Sequence, residues 1–226
     1  EDSNAGTKEK LVSSFAKAQE LVRKIPSGDS VRVVFGKGVY YLSEAIHFTD
    51  KDNKARVFYS AEKEGQAVIS GGALLHLKWK LWKDGIYVAG VSGISEMDQL
   101  YINGKRQRMA RFPNAAAGKN VFDAWDLNHK PEPDPLRNPL SHERIAKWGN
   151  PEGGYIHAMH SALWGDMHWL IKGKNADGTL NSEGGWQNNR PSEMHPVYRM
   201  VENIFEELDV PGEWYFNNKE RKLYYF

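Results

Sequence analysis

Apolar residues near the start of the chain recur at steps of three and four, the spacing of a helix with one buried face. They are Leu11, Phe15, Ala18, Leu21 and Val22. Helix-ending residues follow at Pro26–Gly28. The pattern predicts a helix over residues 8–24, with this apolar stripe packed against the strands that follow it.

Short runs rich in Val, Ile, Tyr and Phe come next, separated by Gly and Asp turns, and they predict strands. The runs are Val31–Phe35, Val39–Leu42, Ala45–Phe48, Arg56–Ser60 and Ala67–Ser70. They follow one another too closely for intervening helices, which excludes a Rossmann-like order of alternating strands and helices.

Three pairs of alternating runs after Gly71–Gly72 predict hairpins. They are Leu77–Trp82 with Ile86–Val88, Gln99–Asn103 with Lys105–Ala110, and Glu213–Phe216 with Lys222–Phe226. The Asp-Gly and Asn-Gly dipeptides in the first two turns are strong hairpin signals. The change of pattern divides the chain into predicted domains at 1–72 and 73–226, the second built on an antiparallel sheet.

A long stretch between the second and third hairpins, residues 113–199, lacks a sustained period and is predicted to be a mainly irregular excursion. A helix at His142–Trp148, N-capped by Ser141, and a strand near Met167–Ile171 interrupt it. Excursions of this length are usually functional surfaces or lids.

The amino-acid composition and net charge exclude several classes of function. The 226 residues are 40% hydrophobic and 26% charged, which is typical of a packed globular protein. A net charge of +1 argues against a nucleic-acid partner. No apolar run reaches the ~20 residues that span a bilayer, so we predict no membrane span. The absence of cysteine excludes disulfides, thiol catalysis and cysteine-ligated zinc.

Three segments carry a resemblance to right-handed parallel β-helix proteins of the carbohydrate-active type. They are FAKAQELVRKI…VRVVFGKGVYYLSEAIHFT…VFYSAEKEGQAVISGG, then DQLYINGKRQRMARFPN with GGWQNNRP, and VENIFEELDVPGEWYFNNKERKLYYF. The first resembles a cap helix with the first coils of the β-helix. The others resemble an inserted β-rich domain, as in xylosidase- and fucosidase-like glycoside hydrolases. The resemblance implies a mainly β fold with a sandwich-like inserted domain.

In that family the catalytic carboxylates lie on later coils, which would fall beyond Phe226. The resemblance therefore assigns no catalytic residue here. It implies the N-terminal, non-catalytic part of a glycoside hydrolase that is secreted, periplasmic or on the cell surface. Its partners would be a glycan or polysaccharide and the downstream β-helix of the same polypeptide. The alternatives are a stand-alone carbohydrate-binding or adhesion module and part of a β-helix polysaccharide lyase.

Five of the eight tryptophans lie within the excursion, at Trp125, Trp148, Trp164, Trp169 and Trp186. An indole packs on the C–H face of a pyranose, and amides or guanidinium groups bind its hydroxyls. We therefore predict substrate contacts from His160, Trp164, His168, Trp186, Asn188, Asn189 and Arg190. At least one of the Trp164 and Trp186 indoles should then be partly exposed. The competing interpretation is that the indoles anchor a loop from inside.

The histidines His157, His160 and His168 could in principle bind a metal together with Asp166. A helix is needed to bring residues three apart onto one face, and the surrounding glycines disfavour a helix here. We therefore predict no metal site, and no cofactor. The alternating basic residues Lys105, Arg106, Arg108 and Arg111 are predicted to form a solvated face.

Overall fold

The computed structural model describes residues 1–115 and 138–226, so Trp125 lies outside the described residues. The chain is mainly β, as predicted, and it divides into two compact units, Glu1–His76 and Leu77–Phe226. Over the described ranges, neither α-helix is long or apolar enough to cross a bilayer.

Unit 1 contains one α-helix, a 3₁₀-helix at Asp50–Asp52 and four strands that pair in parallel. The elements are α1 (Phe15–Val22), β1 (Ser30–Phe35), β2 (Gly38–Tyr41), β3 (Arg56–Ala61) and β4 (Ala67–Ser70). Strand β1 pairs with β3 and strand β2 pairs with β4, each in parallel and in uninterrupted register. The four strands correspond closely to four of the five predicted runs.

The fifth run, Ala45–Phe48, is not a strand, so that prediction is wrong. The backbone carbonyl of His47 accepts a hydrogen bond from Gln19 Nε2 at 2.9 Å. The ring of Phe48 contacts Phe15 edge-on, with centroids 6.3 Å apart. The segment is therefore held by the helix instead of by a β-ladder.

Helix α1 is shorter than the predicted 8–24. Ser14 is its N-cap and accepts from Lys17 N at 3.1 Å. Asp2 Oδ1 accepts from the backbone N–H groups of Ser13 and Ser14 at 2.8 and 2.9 Å. These bonds hold the preceding backbone outside the helix, and Leu11 is 64% exposed instead of buried.

The rest of the apolar stripe packs as predicted against the strands of its own unit. The ring of Phe15 stacks on Phe35 of β1 at 5.7 Å between centroids, and on Tyr59 of β3 at 5.2 Å. Ala18 and Val22 are also buried. This aromatic cluster forms the interior of unit 1.

Over its described residues, unit 2 contains two larger sheets, a two-stranded hairpin, one α-helix and a 3₁₀-helix at Phe205–Glu207. Its elements are β5 (Lys80–Lys83), β6 (Ile86–Gly90), β7 (Leu100–Ile102), β8 (Lys105–Met109), β9 (Arg111–Phe112), α2 (His142–Lys147), β10 (Tyr155–His160), β11 (Asp166–Lys174), β12 (Leu180–Gly184), β13 (Trp186–Gln187), β14 (Arg190–Pro191), β15 (Met194–Glu202), β16 (Glu213–Asn217) and β17 (Lys222–Tyr225).

A six-stranded sheet in the order β5-β6-β17-β16-β8-β7 contains all three predicted hairpins. Asp84, Gly85, Asn103 and Gly104 all have positive φ, which is what type I′ turns require at both central positions. Most of the ladder is antiparallel, but β16 pairs with β8 in parallel.

A five-stranded antiparallel sheet in the order β12-β11-β10-β15-β9 occupies much of the predicted irregular excursion. The prediction of a mainly irregular segment is therefore wrong for its described part. Helix α2 covers one face of this sheet, since its Ile145 and the following Trp148 share a core with Ile156, Trp169 and Val201. Ser141 caps α2 as predicted.

Candidate functional site

One end of the five-stranded sheet carries two exposed indoles. At this end, strand β10 finishes with His160. Strand β12 also finishes at this end, because its last residue, Gly184, pairs with Trp169 near the start of β11. Strand β15 begins there, where Met194 pairs with His160. The turn 161–165 and the β13–β14 hairpin therefore project from the same end, which we call the indole end.

Trp164 lies in the turn 161–165 with its side chain exposed to solvent. It is 68% exposed, and its ring lies parallel to the His160 imidazole, with 4.8 Å between centroids and 1° between planes. The imidazole is fixed in turn, because the N–H of Ala162 donates to His160 Nδ1 at 2.9 Å. Leu163 adopts a left-handed φ of 60°, a strained value for a non-glycine residue.

Trp186 is positioned by the two glycines that precede it. A side chain at Gly185 would place its Cβ 2.1 Å from the Trp169 ring, and one at Gly184 would lie 2.3 Å from the carbonyl oxygen of His168. The GGW sequence therefore lets the hairpin cross directly over the buried Trp169, while the Trp186 indole stays 61% exposed.

The polar residues predicted to bind sugar hydroxyls lie at the tip of this hairpin. Asn188, Asn189 and Arg190 are all exposed, and Asn188 has a φ of 56°, as a two-residue turn between Gln187 and Arg190 requires. The N–H of Ser161 donates to the carbonyl oxygen of Glu193 at 3.1 Å, which ties the Trp164 turn to the segment after the hairpin. Whether these groups contact a sugar stays a prediction.

His168 belongs to a different cluster. Since Ile156, Trp169 and Val201 face the core, their neighbours His157, His168 and Glu202 face away from it. His157 pairs with His168 across β10 and β11, and their rings lie edge to face, 4.3 Å apart.

Two carboxylates flank the histidine pair. His157 Nε2 lies 2.7 Å from Glu202 Oε1, and His168 Nε2 lies 3.2 Å from Asp166 Oδ2. We call Glu202, His157, His168 and Asp166 the histidine–carboxylate row. One ligand atom from each of His157, Asp166 and His168 can be chosen so that all three lie within 4.8 Å of one another. This row is the part of the described site that could hold a metal.

A buried arginine lies at one end of the row. Arg111 pairs with Glu202 across β9 and β15 and is only 6% exposed, so its predicted place on a solvated face is wrong. Burial lowers the pKa of Arg111. Burial alone would raise the pKa of Glu202, but His157, Arg111 and His168 together lower it below its ordinary value.

The sequence places three members of the row, His157, His168 and Asp166, in one candidate metal set together with His160, but the set is judged on the His157–His160 spacing and no metal site is predicted. The relevant neighbour of His157 is His168, which lies on the next strand. A turn over residues 161–165 was the signal that could have paired His157 with His168. Glu202 and Arg111 had no such signal, since their strands pair across a long stretch of sequence.

No protein-family model matches the chain, and no curated protein matches it. A solved structure described as a glycoside hydrolase aligns with the whole chain at a TM-score of 0.66 and 19% sequence identity. The chain therefore has a fold similar to that of part of that glycoside hydrolase. The chain spans 41% of the length of that protein, and at this identity the likeness concerns the fold alone.

Proposed function

We propose that the chain is the N-terminal, non-catalytic part of a secreted β-helix glycoside hydrolase, and that its indole end forms one wall of the glycan cleft. The observation that carries the proposal is the pair of exposed indoles, Trp164 at 68% in the turn 161–165 and Trp186 at 61% in the β13–β14 hairpin, at the same end of one sheet.

The chemistry of the indole end suits a pyranose. Each exposed indole offers an apolar face to sugar C–H groups, and the Trp164 ring is stacked on His160 on one side. Asn188, Asn189 and Arg190 supply amide and guanidinium groups for hydroxyls at the adjoining hairpin tip. Large exposed aromatic residues together with planar polar groups are a common composition for sites that bind uncharged polar ligands.

The strand pairing of unit 1 supports the β-helix part of the proposal. Parallel ladders join β1 to β3 and β2 to β4, so that the strand pair β1–β2 is followed by a second pair, β3–β4, stacked on it in the same direction. Stacked repeats of this kind continue by adding further coils. Unit 2 would then be the inserted sandwich-like domain, and further coils of the same polypeptide would provide the opposite wall and the catalytic carboxylates.

An NMR titration tests the glycan site. Indole N–H resonances of the isotope-labelled protein would be followed while xylo-, fuco- and other oligosaccharides are added. We expect the Trp164 and Trp186 resonances to shift, with weak affinity, because one cleft wall alone leaves much of the ligand in water. Trp164→Ala and Trp186→Ala should abolish the shifts without lowering the melting temperature markedly. Tyr101→Ala is the control, since Tyr101 is 57% exposed and lies in the other large sheet, on the β7–β8 hairpin.

A different pair of results would contradict the glycan site. If no oligosaccharide shifts either indole, and if Trp186→Ala lowers stability by the roughly 3–5 kcal/mol typical of a buried aromatic residue, the indoles serve packing instead of recognition. We also expect this chain alone not to hydrolyse aryl-xylosides or aryl-fucosides. Turnover that is lost on replacing one Asp or Glu would contradict the non-catalytic assignment.

A further inference from the structure

The histidine–carboxylate row has the composition of a metal-binding site. It combines two imidazoles with two carboxylates on one face of a rigid sheet, on the strands β10, β11 and β15. The side chains of His168 and Asp166 are 58% and 41% exposed, so an ion could reach them from solvent.

We propose that this row binds one divalent transition-metal ion, with Zn²⁺ as the best match, through His157, His168 and Asp166, with Glu202 as the adjoining carboxylate. Imidazole nitrogen is a ligand that Zn²⁺ favours, whereas Mg²⁺ and Ca²⁺ prefer shells made of oxygen. Two ionised carboxylates would balance the charge of the ion.

The spacing of the donors fits a tetrahedral ion. Bonds of about 2.0–2.1 Å place neighbouring ligand atoms about 3.3 Å apart. The distance from His168 Nε2 to Asp166 Oδ2 is 3.2 Å, and the ligand atoms of the three residues all lie within 4.8 Å. The side chains of His168 and Asp166 are 58% and 41% exposed, which leaves them room to adjust around an ion.

The buried member of the row already faces a carboxylate. His157 is only 9% exposed, and its Nε2 atom is shielded from water. This atom lies 2.7 Å from Glu202 Oε1, a close ion-pair contact. An ion bound beside it would give the buried imidazole a coordination bond next to the negative charge of Glu202.

The test begins with chain that has been treated with a chelator to remove bound metal. Isothermal titration calorimetry with ZnCl₂ then measures the affinity and the number of ions bound. We expect one ion to bind per chain, and His168→Ala and Asp166→Asn each to weaken binding by about tenfold or more. Both substitutions are at exposed positions, so the fold should survive, as far-UV circular dichroism would confirm. His47→Ala, at an exposed histidine of unit 1, is the matched control and should bind as the parent does.

A second measurement needs no variant. In imidazole ¹⁵N spectra of the parent chain, the nitrogens of His157 and His168 should shift together on addition of ZnCl₂, and CaCl₂ should leave them unchanged. If neither imidazole responds, or if His168→Ala binds Zn²⁺ as tightly as the parent, the row is only an ion-pair network and the proposal is wrong. Sugar binding is measured separately at the indoles, so the two proposals can fail independently.

Discussion

The carboxyl group of Glu213 offers a sharp test of how the structure sets the pH dependence of stability. Glu213 is 3% exposed, and its Oε2 atom has no hydrogen-bond partner among the described residues. Burial raises its pKa from the ordinary 4.5 to about 8; the nearby Asp209 carboxylate adds to the rise, while backbone N–H donors and Arg111 oppose it.

The sign follows from proton binding. The unfolded chain releases this proton near pH 4.5, whereas the folded chain retains it until about pH 8. Between these values the folded state binds more protons, so the free energy of unfolding falls as the pH rises. The slope is about 1.4 kcal/mol per pH unit. The contribution is fully present below pH 4.5 and would be lost by pH 8, a change of up to about 5 kcal/mol.

The substitution Glu213→Gln removes the titration and keeps the shape of the side chain. We expect parent and variant to unfold at similar urea concentrations at pH 5, and the variant to be more stable by several kcal/mol at pH 8.5. The intrinsic tryptophan fluorescence, to which Trp214 in the same strand contributes, would report unfolding. Glu183→Gln is the control, because the Glu183 side chain is 73% exposed.

A difference between parent and Glu213→Gln that stays constant from pH 5 to pH 8.5 would refute this reasoning. It would mean that the Glu213 carboxyl group titrates alike in the folded and unfolded chains. Such a result is the same as finding that the free energy of unfolding changes equally with pH in Glu213→Gln and in the parent.

Substitutions at three further positions test a close packing contact, an ion pair and a helix cap. Gly185→Ala should lower the stability of unit 2 by at least about 1–3 kcal/mol, because its Cβ would overlap the Trp169 ring, and an unchanged melting temperature would contradict this. Glu207→Gln should lower the free energy of unfolding by about 3 kcal/mol, because Glu207 accepts two 2.8 Å hydrogen bonds from Arg144 in an ion pair that is largely buried. Urea unfolding would measure this, and a loss below about 1 kcal/mol would contradict it. Ser14→Ala should cost unit 1 about 1 kcal/mol as α1 loses its cap, whereas Ser14→Asp should retain the cap, as circular dichroism melts would show.

The sequence by itself determined the elements that depend on local chemistry. The Asp84–Gly85 and Asn103–Gly104 turns define their hairpins through positive φ, and Ser141 begins α2 through its side-chain oxygen. The four strands of unit 1 followed from short β-branched and aromatic runs. In each case the determining contacts join residues close together in the chain, so the pattern of a short window was sufficient.

Only the tertiary structure decided which distant groups meet. The start of α1 depends on Asp2, which binds the backbone eleven residues further on and leaves Leu11 exposed. The five-stranded sheet depends on β9 and β10 pairing with β15, and this register places Glu202 beside His157. The burial that raises the pKa of Glu213 likewise comes from packing by other elements. Strand pairing and desolvation are properties of the assembled sheets, and no local period in the sequence encodes them.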